Sequence, residues 1–144
     1  MKQEDKELLL RDLCARLPYG VKMNHIADTE NNPIALVGIA KTMITLESSA
    51  GYETSDIEDY IPYLFPLSSM TEEQYNSLYE SGILNNCSHS YEYVNPHIHG
   101  VSFVFKEFKT YSLELIEWLN KNHFDYRDLI PKGLAIDCTG LNIY

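Results

Sequence analysis

The chain is short of basic side chains: 144 residues carry 11 Lys and Arg against 21 Asp and Glu, a formal net charge of −10. Binding the nucleic-acid backbone needs neutralising Lys and Arg, so this deficit argues against a nucleic-acid partner. It argues equally against an anionic membrane surface. Basic protein partners fit the charge, and so does plain solubility. No uninterrupted apolar run approaches the ~20 residues that span a bilayer. The N-terminal MKQEDKELLLRD flanks three leucines with charge, too short an apolar core for a signal peptide. A cytoplasmic protein is the expectation. Only three cysteines occur, Cys14, Cys87 and Cys138, far apart and without a CxxC pair. An odd number without a secretion signal predicts reduced thiols rather than a disulfide framework.

Catalytic signatures are missing as well. The sequence has no GxGxxG, no GxxxxGK[ST], no GxSxG and no HExxH. Internal repeats and low-complexity segments are absent too. The length suits one globular domain over residues 1–144.

The periodicities predict an α+β fold: a small antiparallel sheet packed against an N-terminal helix and a helix near the C-terminus. Residues 4–17 have helical spacing, with Leu9, Leu10, Leu13, Cys14 and Leu17 on one face and Glu7, Arg11 and Asp12 elsewhere. Pro18-Tyr19-Gly20 makes a turn, and alternation from Val21 predicts a strand. Ile34–Ile39 and Met43–Leu46 predict two more, joined too tightly for parallel crossovers. Ser55-Asp56-Ile57-Glu58 reads as a capping box opening a short helix before Pro62, and Thr71 with Gln74 as a second one, for a helix ended by Gly82. Val101–Phe105 predicts a strand. Thr110 or Ser112 starts a helix with Leu113, Ile116 and Leu119 as its stripe, Leu115 and Trp118 alongside. Asp125 is expected to cap a single turn through Leu129, and Leu134–Cys138 predicts a last short strand.

Three segments carry a resemblance. They are Asp12-Leu13-Cys14-Ala15-Arg16-Leu17-Pro18-Tyr19-Gly20-Val21; the stretch Asp59-Tyr60-Ile61-Pro62-Tyr63-Leu64 followed by Pro66-Leu67-Ser68-Ser69-Met70-Thr71; and Trp118-Leu119-Asn120, His123-Phe124-Asp125-Tyr126-Arg127 and Leu129-Ile130-Pro131-Lys132-Gly133-Leu134-Ala135. Together they resemble an uncharacterised small-protein family from gut anaerobic bacteria and their phages, to which no activity is assigned. The resemblance implies a phage-associated setting, with a host-interaction or anti-defence role, and transfers no catalytic residue.

Two constellations carry chemistry. Cys87 and His89, and His97 and His99, are each spaced i, i+2, so on strands each pair shares a face. An antiparallel hairpin setting Cys87 across from His99, and His89 across from His97, brings one thiolate and three imidazoles together, a zinc-type ligand set. The seven-residue connection Ser90 to Pro96 and the Asn95-Pro96 step weigh against it. Cys87 beside His89 is also the pattern of an activated thiolate. Cys14 and Cys138 sit on apolar patterns and are expected in the core. The second constellation is tyrosine: 11 in all, with Tyr60, Tyr63, Tyr75 and Tyr79 in the middle third. Tyrosine suits protein interfaces, and equally the border of a core. The leading expectation is a non-enzymatic accessory protein that binds another protein, without a cofactor. The rival is a zinc-binding domain or metal-dependent enzyme built on Cys87, His89, His97 and His99.

Overall fold

The computed structural model describes residues 1–94 and 102–144, with the backbone alone for 86, 91–94 and 102–106. In chain order the elements are α1 (Gln3–Arg16), β1 (Lys22–His25), β2 (Ile34–Ala40), β3 (Met43–Ser48), β4 (Gly51–Asp56), β5 (Tyr60–Pro66), α2 (Glu72–Glu80), β6 (His89–Val94), β7 (Ser102–Phe108), α3 (Leu113–Lys121), β8 (Phe124–Asp125) and β9 (Ile136–Asp137). The architecture is α+β, and its contacts divide it into two compact units. The first is Met1–Leu64 with Arg127–Tyr144; the second is the intervening Phe65–Tyr126.

In the first unit, β4-β3-β2-β1-β5 form an antiparallel run, and β9 adds to β5 in parallel. The sheet is therefore mixed. Leu9 and Leu13 of α1 join Val21, Met23, Leu36, Ile44, Leu46 and Leu64 in one buried cluster, closed by Leu129 and Leu134. Each such leucine contributes roughly 1.5–3 kcal/mol by leaving water. The buried face of α1 is Leu9, Asp12, Leu13 and Arg16, at i, i+3, i+4 and i+7. Cys14, expected in this core, is exposed. The reason is that two charged residues, paired with each other, occupy the positions flanking Leu13. The helix passes into one 3-10 turn over Leu17–Tyr19, and Gly20, at φ +68°, closes it in a conformation disfavoured for other residues.

The expected capping box at Ser55 does not form. Residues Gly51–Asp56 make β4, and the cap moves one residue on: Asp56 Oδ1 accepts from the Glu58 N–H at 3.1 Å, opening a single 3-10 turn. Tyr60–Pro66 then makes β5 despite two prolines. Its carbonyls explain the tolerance. The Asp59 oxygen accepts from Ile26 N–H on the β1 side, and the Leu64 oxygen from Cys138 N–H on the opposite side. Alternation points the Pro62 nitrogen away from β1, and β9 covers that flank only from Tyr63 onward.

In the second unit, Thr71 and Gln74 form the expected capping box, with Gln74 N–H donating to Thr71 Oγ1 at 3.2 Å and Thr71 N–H to Gln74 Oε1 at 2.9 Å. Gly82, at φ +78°, follows the helix end. Ser112 caps α3, accepting from Leu115 N–H at 3.1 Å. The buried stripe of α3 is Leu115, Leu119 and Asn120, whereas Leu113, expected in the stripe, is 68% exposed. Leu115 and Leu119 pack with Met70, Leu78, Phe108 and Phe124, and Trp118 stacks on Phe124 with centroids 5.7 Å apart. Asp125, expected to cap a turn, lies in β8, which pairs in parallel with Phe65 and Pro66. β6 and β7 form an antiparallel hairpin; Val101, expected in that strand, lies outside the described residues.

Candidate functional site

The β6–β7 register decides the cross-strand pairs around the Cys/His segment. His89 pairs with Phe108 and Val94 with Ser102, so the partner expected for His89, His97, does not stand across from it. Ser88 is tied to the far end of β7: its oxygen accepts from Lys109 and Thr110 N–H, and its N–H donates to Thr110 Oγ1 at 2.6 Å. The chain around Cys87 is thus set beside Thr110. The hairpin is longer than the expected one because β7 runs on to Phe108. His97 and His99 themselves lie outside the described residues.

Cys87 and His89 are both committed to local partners. The buried Cys87 Sγ donates to the Ile83 oxygen at 3.5 Å. His89 Nδ1 lies 3.2 Å from the Cys87 carbonyl oxygen, and Nε2 lies 2.9 Å from the buried Tyr75 hydroxyl. A carbonyl only accepts, so Nδ1 carries the proton; a neutral ring then accepts from Tyr75 at Nε2. The imidazole therefore addresses the backbone of Cys87 and not its sulfur. The geometry of an activated thiolate, which needs the base at the sulfur, is not assembled. Among the described residues no group of three His, Cys, Asp or Glu side chains is placed to hold a metal ion.

The tyrosines divide sharply. Tyr60, Tyr63 and Tyr75 are buried within the cores of their units, which removes them from any surface a partner touches in this conformation. Tyr60 donates to Glu53 Oε1 at 3.0 Å, and its phenol is pushed up to about 12 by burial and then by that carboxylate. Tyr63 bonds Asn24 Oδ1 at 2.9 Å. Tyr79 remains a surface group, 65% exposed on α2. Tyr75, four residues earlier on the same helix, is buried with Leu78. Tyr52, 73% exposed on β4, projects beside Glu47, whose hydrogen bond raises its phenol above the ordinary range.

A polar cluster that sequence reasoning missed lies inside the first unit. Arg16 and Asp12, both fully buried, pair through Nε–Oδ2 at 2.6 Å and Nη2–Oδ1 at 3.2 Å. Arg127 Nη1 reaches the same carboxylate at 3.4 Å. The Tyr144 hydroxyl accepts from Lys22 N–H at 3.1 Å and donates to the Tyr63 oxygen at 2.8 Å. Lys22 and Tyr63 each stand one residue beyond the Met23–Pro62 pair, so this hydroxyl takes the place of a ladder rung where β1 and β5 part. Burial pushes its phenol strongly upward. These contacts tie Arg127 to α1 and join β1 to β5. The i, i+4 spacing of Asp12 and Arg16 was the available sequence signal.

The second unit has a shallow pocket of about 230 Å³ lined by Ser81, Gly82, Ile83, Ser112 and Glu114. Drug-sized ligands occupy roughly 300–1,000 Å³, and the two serines and the glycine offer little apolar grip. No helix among the described residues is long and apolar enough to cross a membrane.

The fold places the chain among α+β proteins. No family model matches it, and neither a curated protein nor a solved structure does.

Proposed function

We propose that this chain is a non-enzymatic accessory protein that works in the cytoplasm by binding a basic protein partner. The observation that carries the reading is the outward face of α2. Tyr79, Glu72, Glu73 and Glu80 are all exposed on it, and the helix contains no Lys or Arg. A tyrosine offers apolar area with a polar tip, and carboxylates around it select a partner of opposite charge. The charge is distributed in support: eight basic against thirteen acidic residues in the first unit and three against eight in the second, a formal −5 for each. The resemblance of the sequence adds a phage- or mobile-element-associated setting, in which the partner belongs to the host.

The test is affinity capture with tagged protein, comparing Tyr79→Ala and Glu73→Lys with the unmodified chain. A basic partner retained by the unmodified chain and lost by both variants, at unchanged melting temperature, supports the reading. Recovery of the same proteins regardless of charge reversal refutes it.

A further inference from the structure

β4 is an edge of its sheet. It pairs with β3 along all six residues, from Ser48–Gly51 to Met43–Asp56, and nothing pairs with its other side among the described residues. Gly51 to Thr54 are exposed. Which backbone groups point outward follows from one bond. Ile57 N–H donates to the Thr42 oxygen, on the β3 side. Alternation along an antiparallel strand then turns Ser55, Glu53 and Gly51 toward β3, and leaves the N–H and C=O of Tyr52 and Thr54 facing away from it.

Sheet edges in monomeric proteins are ordinarily guarded by lysine, proline, a bulge or a cover. In this sheet a register shift falls between β2 and β3, at Leu36/Gly38, and the β3–β4 ladder at the edge is regular. Residues Met43 to Asp56 contain no Lys, Arg or Pro, and carry Glu47, Glu53 and Asp56. Carboxylate is therefore the only charge on this hairpin. Asp56 is already matched by Lys6 at 3.4 Å, whereas Glu47 faces its neighbour Tyr52. The charge discriminates between occupants. A second copy of β4 would set two acidic strands ~5 Å apart. A strand bearing Lys or Arg at alternate positions meets opposite charge.

We infer that β4 accepts an extended, basic segment of a partner protein as an additional strand, held by the outward backbone groups of Tyr52 and Thr54. Main-chain bonds supply affinity in this mode, and alternate side chains supply selectivity. The inference rests on the protein-binding reading above, and names the partner's conformation and charge.

The experiment titrates ¹⁵N-labelled full-length protein with a Lys-Val alternating hexapeptide, a Glu-Val hexapeptide serving as control. The result expected is saturable shifts of the Tyr52 and Thr54 amides with the first peptide and none with the second. Thr54→Pro deletes one outward N–H without touching the β3–β4 ladder, and Glu47→Lys reverses charge without altering the backbone. Each is expected to weaken binding at least tenfold while leaving the remaining amide spectrum in place. Absence of shifts on β4, equal response to both peptides, or β4 shifts that depend on protein concentration alone overturns the inference; the last would assign the edge to a second copy. Retention of a captured partner by Thr54→Pro, with its loss in Tyr79→Ala, sinks strand addition and leaves the broader reading intact. Failure to capture any partner sinks the broader reading, while the peptide titration still judges the edge.

Discussion

Replacing Asp12 by Asn should be among the most damaging conservative changes available to this protein. The substitution keeps side-chain shape and removes one charge from a fully buried site. Arg16, with 0% side-chain exposure, then loses the carboxylate it meets at 2.6 and 3.2 Å, and Arg127 loses its 3.4 Å contact. An amide also turns an NH₂ toward guanidinium donors. Breaking a buried pair from one side costs roughly 3–5 kcal/mol, because the remaining charge keeps its desolvation penalty without compensation. For a chain of this length that corresponds to a fall in melting temperature of about 10–15 °C. Urea titration followed by far-UV circular dichroism measures the loss directly. The companion variant is Asp12→Leu with Arg16→Met. Apolar replacement of both partners removes the penalty together with the attraction, so this double variant should recover most of the stability lost by Asp12→Asn. A loss below 1 kcal/mol for the single variant, or a double variant no more stable than the single one, would refute the reasoning.

Tyr144→Phe leaves Lys22 N–H and the Tyr63 oxygen without the hydroxyl that joins them, a cost of about 1–3 kcal/mol; amide exchange at Lys22 should rise with it, and an unchanged exchange rate counts against the rung. Alkaline pH should destabilise the fold. Burial pushes the Cys138 thiol from 9.0 up to about 12 and Tyr60 from 10.0 up to about 12. Raised folded values give stability that is complete below the unfolded values and is lost as pH climbs toward the folded ones, so the decline starts near pH 9 and steepens above 10. Cys138 alone accounts for about 2 kcal/mol by pH 10.5. A flat unfolding free energy from pH 8 to 10.5 would contradict this. Zinc should leave the melting temperature unchanged, since Cys87 and both His89 nitrogens are engaged by protein atoms; stabilisation by zinc that disappears in Cys87→Ser would restore the metal reading.

Elements were legible where the local chemistry and the burial agreed. β2 and β3 are short apolar runs, α2 carries both halves of a capping box, and α3 starts at a serine that caps it. β4 was not legible, because an edge strand exposed over most of its length needs no apolar alternation, and its Ser55 mimics a helix cap. β5 was masked by Pro62 and Pro66, whose missing donors matter only on the flank where a neighbour pairs. The face of α1 was misread by about one residue. Hydrophobicity alone points to Leu9, Leu10, Leu13, Cys14 and Leu17, whereas a mutual ion pair lets Asp12 and Arg16 take buried positions, with Cys14 exposed and Leu10 and Leu17 half-buried against the core. Of the candidate sites, Tyr79 kept its exposure. Tyr60, Tyr63 and Tyr75 did not, since phenols with internal acceptors can be buried whole. The Cys/His spacing was legible as a pattern, but the hairpin register, which sets what stands opposite each residue, depends on where β7 ends.

Residues Phe65–Tyr126 interrupt the first unit, whose remaining piece, Arg127–Tyr144, brings β9, Arg127 and the Tyr144 hydroxyl. A ribosome making this chain therefore delivers every residue of the second unit before the first can finish. The nascent first unit waits with Asp12 lacking Arg127 and with β1 and β5 lacking their shared rung. Translation order alone thus makes the inserted unit the earlier of the two able to reach its native contacts.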